Sequence, residues 1–146
     1  MSNRSRSTLF LIEQLIVIAV FAVSAAACTG ILTSAYFTAM DSRDTSRAIL
    51  AAENGAESFK ATGGDLGKTA QILGGTSGRV DGEAAAIVYF DKQWQTSSEE
   101  DAMYRMLLTG VVPDTELDLL IGDLFVEKLT GELLIAFPIA VRGEAG

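Results

Sequence analysis

Between Leu15 and Phe37 the chain runs 23 residues without a charged side chain, and ten of those residues are Leu, Ile, Val or Phe. As a helix rising 1.5 Å per residue, the stretch is about 35 Å long, enough to cross a hydrocarbon core of roughly 30 Å. The wider apolar stretch, Leu9 to Thr38, holds one acid, Glu13, near its start. Each large aliphatic or Phe contributes roughly −0.3 to −0.6 kcal/mol to insertion, so together they offset an acid costing about 3 kcal/mol at mid-bilayer and less near an edge. A membrane-spanning helix is therefore expected over residues 9–38. Arg4 and Arg6 precede it with no acid beside them, and positive residues flanking a span stay cytoplasmic. The expected topology is single-pass, with residues 1–8 a short basic cytoplasmic leader and the C-terminal bulk outside the cell membrane.

What remains is about a hundred residues, enough for one small domain. Of 11 Lys or Arg and 19 Asp or Glu, Arg4, Arg6 and Glu13 precede Thr38, which leaves nine cations and 18 acids beyond it. So acidic a surface repels nucleic acid and anionic lipid, and no nucleic-acid contact is expected. The single cysteine, Cys28, lies inside the span, so no intramolecular disulfide can brace the outer domain. The chain has no histidine, the commonest general base and metal ligand.

Past the span the helical pattern continues from Met40 to Ala61 without a proline, with Ala48, Ala52, Ala56 and Phe59 at helical spacing beside Ile49. Asp44, Arg47, Glu53, Asn54 and Glu57 fill the other side, so residues 39–61 read as the outer half of one long helix whose narrow stripe needs a sheet to lie on. Gly63-Gly64 ends it, because glycine is free to take positive φ. The glycine-rich residues 62–83 read as a connecting loop with at most one helical turn around Lys68 to Leu73. Residues 84–146 have strand texture: Ala86 to Phe90, Met103 to Val111, Leu117 to Glu127 and Glu132 to Arg142. In the last of these Leu133, Ile135, Phe137, Ile139 and Val141 share a face. Pro138 suits an edge strand or a bulge, and Thr130-Gly131 a hairpin tip. The expected fold is α+β: a long N-terminal helix packed on a four-stranded antiparallel sheet.

The motifs that would signal chemistry are incomplete. Gly63-x-x-x-Gly67-Lys68-Thr69 lacks the first glycine of a phosphate loop, since Thr62 occupies that place, and it follows a helix where that loop follows a strand. Asp114-x-Glu116-x-Asp118 opens like a calcium loop, but Leu119 stands where glycine is required. A surface hairpin accounts for those acids, and Glu99-Glu100-Asp101 reads as a solvated loop. No Ser, Cys or Lys has a recognisable base partner, so neither an enzyme nor a cofactor or metal site is expected. Cys28 closes the run Ser24-Ala25-Ala26-Ala27-Cys28, which admits a second reading as a lipoprotein signal cut before an acylated cysteine. Against it, Glu13 and Gln14 interrupt the apolar region, and the residues after Cys28 stay apolar through Phe37.

Leu11-Ile12-Glu13-Gln14-Leu15-Ile16-Val17-Ile18-Ala19, behind a short positive leader, resembles the start of a type IV pilin or pseudopilin. The chain departs from that pattern at Thr8, where the family has Gly, at Leu9, where it usually has Phe, and at Gln14. The resemblance implies a pilin-like fold and processing between Thr8 and Leu9 by a prepilin peptidase. It also implies assembly into a type IV pilus-like or secretion-type filament at the cell surface, with an inner-membrane platform protein and an assembly ATPase as partners. Glu13 would then meet the freed amine of Leu9 in a neighbouring subunit or, without cleavage, a neighbour's Arg4 or Arg6. The bland alternative is an acid that snorkels to the interface. Gly30 stands where many pilins have a helix-loosening proline; it also fits close helix packing among the small residues Ser24 to Ala27, Thr29, Ser34 and Ala35. The partners expected on this reading are other copies or other pilin-like subunits, and membrane lipid. The rival class is a membrane-tethered or lipidated extracytoplasmic binding module that never polymerises.

Overall fold

The computed structural model describes residues 2–114 and 116–142, with side chains from Ser7 onward. It divides into two units, residues 1–42 and 43–146. Helix α1, Ser2–Ala61, supplies the described residues of the first and the opening element of the second. The rest comprises α2 (Leu66–Ile72), β1 (Thr76–Val80), β2 (Glu83–Phe90), a turn of 3-10 helix (Glu99–Asp101), β3 (Tyr104–Asp114), β4 (Leu119–Lys128) and β5 (Leu133–Arg142).

In the second unit, hereafter the head, α1 buries the expected stripe. Ala48, Ala52 and Phe59 are wholly inaccessible and lie in one cluster with Val88, Met106, Leu108, Leu124, Val126 and Ile139 of the sheet. Small residues let the helix come close. A Cβ built on Gly55 would sit 2.9 Å from the Met106 Sδ and 3.0 Å from the Leu124 Cδ1. The helix ends at the glycine pair: the Gly64 N–H donates to the Phe59 carbonyl at 2.9 Å and the Gly63 N–H to that of Lys60 at 3.2 Å, with Gly64 at φ 88°.

The sheet is an antiparallel meander in the order β1-β2-β3-β4-β5, so it has five strands where four are expected from the sequence. The extra strand, β1, lies in the segment expected to be a loop. Its residues Thr-Ser-Gly-Arg-Val show no apolar alternation, and four of the five are exposed. It forms because Asp81 and Gly82, at φ 52° and 88°, make a tight turn that folds it back on β2, with Val80 facing Glu83. The same segment holds α2, a fuller helix than the single turn expected. Asp65 caps it by accepting from the Lys68 N–H at 3.0 Å.

Strand β5 departs in detail. Its pairing with β4 slips between Val126 and Glu127: Val126 faces Ile135, but Glu127 faces Leu133. The extra residue on β5, Leu134, therefore packs against the core with Ile135, Phe137 and Val141, and Leu133 is left 56% exposed. Pro138 lies on this strand at the sheet's edge, opposite Asp123, where a missing donor is tolerated.

Candidate assembly helix

The residues singled out by the sequence, Thr8, Leu9, Glu13, Cys28 and Gly30, all fall on the first unit's stretch of α1, and all are exposed. Leu9 and Glu13 are four residues apart and so share one face. From Leu9 to Phe37 the large apolar side chains are 52% (Ile12) to 74% (Phe21) exposed. This stretch contains an 18-residue window of mean hydropathy 2.6, none of it buried, which makes it long and apolar enough to span a membrane.

Four hydroxyls of the stretch are satisfied within the helix. Ser24, Thr29, Thr33 and Thr38 each donate a hydroxyl to the carbonyl four residues earlier, at 2.9 to 3.0 Å. Hydroxyls bonded to their own backbone can face hydrocarbon without an orphaned donor. Glu13 is different: among the described residues it takes part in no ion pair or hydrogen bond. The side chains of Arg4 and Arg6, which in a neighbouring subunit are the expected partners of Glu13 without cleavage, lie outside the described residues. A Cβ on Gly30 would meet nothing within 4 Å, and Gly30 lies in a shallow depression with Ala26, Thr33 and Phe37. Cys28 is a free, exposed thiol within uninterrupted helix.

In the head, the residues of the incomplete motifs serve local structure. The Asp114 carboxylate accepts from the Glu116 and Leu117 N–H groups at 3.0 and 3.2 Å, a turn of the chain on itself. Lys68 follows the Asp65 cap, and its backbone N–H holds the Asp65 carboxyl below its usual range. No group of three or more acidic or cysteine side chains converges on one point among the described residues. Strand positions alone do not reveal an aromatic cluster at the start of β3. There Trp94 stacks on Tyr104 with centroids 4.0 Å apart, and Phe90 lies 5.8 Å from Trp94. The only sign of it in the sequence is three aromatics bracketing the β2–β3 loop. Burial, and then the Asp44 carboxylate beside it, push the Tyr104 hydroxyl up to about 12. Asp44 also faces Lys128 at 4.0 Å, which ties α1 to β4.

Comparison with known protein families, characterised proteins and solved structures found no match to this chain.

Proposed function

We propose that the chain is a structural subunit of a type IV pilus-like or secretion-type filament, assembling in a membrane through the apolar stretch of α1. The observation that carries this reading is the pairing of an exposed apolar stretch of helix with one acid, Glu13, that has no partner among the described residues and lies one helical turn after Leu9. A plain anchor has no use for a carboxylate within its span, and an intramembrane acid pairs with another ionisable group or with the backbone. A neighbour's cation supplies the partner: the amine of Leu9 if the leader is removed, or Arg4 or Arg6 if it is not. The platform protein, assembly ATPase and prepilin peptidase belong to this reading as its implied machinery, and the head is its outward-facing part. The subunit performs no chemistry of its own.

Replacing Glu13 by Gln separates assembly from anchoring. Removing the charge makes insertion easier, by about 3 kcal/mol at most, so Glu13→Gln should accumulate in membranes at wild-type level or above. The same change leaves the neighbour's cation unpaired in a dry environment. Incorporation into sheared filaments or crosslinked oligomers should therefore fall sharply. Equal incorporation of variant and wild type would reduce Glu13 to an interfacial acid and remove the support for assembly.

A further inference from the structure

Within the head, the buried side of α1 is fixed by Ala48, Ala52, Gly55 and Phe59. Leu50 projects from the opposite side and is 53% exposed. At 3.6 residues per turn, Arg43 and Arg47 lie about 20° and 60° to one side of Leu50, and Glu57 and Glu53 about 20° and 60° to the other. The uncovered face thus has a cationic flank and an anionic flank. All four charged residues are exposed, and none forms an ion pair or hydrogen bond among the described residues, although ion pairs form elsewhere in the head. Within one chain the arrangement is unfavourable, since Arg43 with Arg47 and Glu53 with Glu57 are like charges four residues apart, which weaken a helix.

We propose that this face docks on the same stretch of a second copy of the chain, flank to flank and in parallel, with the two helices shifted by about 15 Å along their axes. Ten residues separate Arg43 from Glu53, and ten separate Arg47 from Glu57. A single shift therefore sets both cations of one copy against both acids of the next. An antiparallel two-fold pair does not achieve this, because it places the Arg flank against the Arg flank. The parallel contact is heterologous: it leaves one copy's cationic flank and the other's anionic flank free, so it propagates into an open chain. Copies in a polar filament are parallel, and this docking, built on the assembly reading above, supplies the axial step between neighbours.

The test uses the full-length chain in membranes, with Cys28→Ser to remove the native thiol. Arg47→Cys combined with Glu57→Cys leaves the Arg43–Glu53 pair to hold the register. On oxidation this double variant should give a ladder of disulfide-linked dimers and higher multimers, while either cysteine alone gives none. In parallel, Arg47→Glu should reduce the oligomers trapped by a lysine-reactive crosslinker several-fold, and adding Glu57→Arg should restore them. All four positions are exposed, so the head tolerates these changes. If lysine crosslinking captures wild-type oligomers but the cysteine ladder is absent and charge reversal has no effect, this interface is wrong and assembly stands. Dimers from Arg47→Cys alone would also overturn it, in favour of a two-fold pair. If the wild-type chain yields no oligomers at all, the assembly reading and this interface fall together.

Discussion

Tyr104 shows how much one side chain can couple to its surroundings. It is 6% exposed, its ring lies on Trp94, and its hydroxyl sits beside Asp44. Burial and that carboxylate both disfavour the phenolate, which moves its pKa from 10.0 to about 12. The folded head therefore binds this proton more tightly than the unfolded chain does. Its contribution to stability is fully present below pH 10 and is lost as the pH rises from 10 to about 12. Tyr89 is shifted in the same direction, chiefly by burial and then by Glu99. Guanidinium midpoints followed by circular dichroism should stay flat up to the ordinary tyrosine range and then fall. Tyr104→Phe keeps the stack and removes the proton, so its alkaline fall should be shallower. An identical fall in the variant would mean that water reaches the Tyr104 hydroxyl.

At the scale of elements, β1 depends on its turn. Gly82 sits at φ 88° with open space around a would-be Cβ, so Gly82→Ala meets no clash and only the backbone penalty remains. That penalty is about 1 to 2 kcal/mol, and it should fall on β1 alone, because this edge strand pairs only with β2. Hydrogen exchange in the variant should lose protection along Thr76 to Val80 and keep it in β3 and β4; a loss spread over the whole sheet would make β1 part of the cooperative core. The same strand marks where the sequence stops being legible. The stripe Ala48, Ala52, Ala56 and Phe59 can be read in advance because burial on one side imposes a helical period. β1 buries almost nothing, so it carries no period, and its one sign is the Asp81-Gly82 pair. Gly55 is hidden for a different reason: a helical glycine reads as a flaw until the nearness of Met106 explains it. On β5 the alternation is visible, but the one-residue slip that exchanges Leu133 for Leu134 is a property of the pairing with β4, not of either strand.

For the whole molecule, the legible part of the candidate site was its apolar stretch, because suitability for a bilayer is additive over residues and needs no tertiary structure. The charged flanks of α1 were legible only in part: Arg47, Glu53 and Glu57 can be set opposite the stripe, but their separation by sign about Leu50 shows only once the sheet has claimed the side of Ala48 and Phe59. That division gives a prediction for the chain cut before Asp41. Phe59, Met106, Leu108, Leu124, Val88 and Val126, the largest fully buried apolar side chains, all belong to residues 43–146 and are buried among themselves. The fragment 41–146 retains nine cations against 18 acids, a net charge that opposes association. Exposed ion pairs contribute about 0.2 to 1 kcal/mol each, too little for the α1 flanks to hold copies together once the membrane no longer confines them. The fragment should therefore be soluble without detergent, run as a monomer by light scattering at micromolar concentration, and show the near-ultraviolet dichroism of a fixed Trp94–Tyr104 stack. A fragment that aggregates or lacks that signal would mean that the head's core requires residues before Asp41, and that the two units do not fold independently.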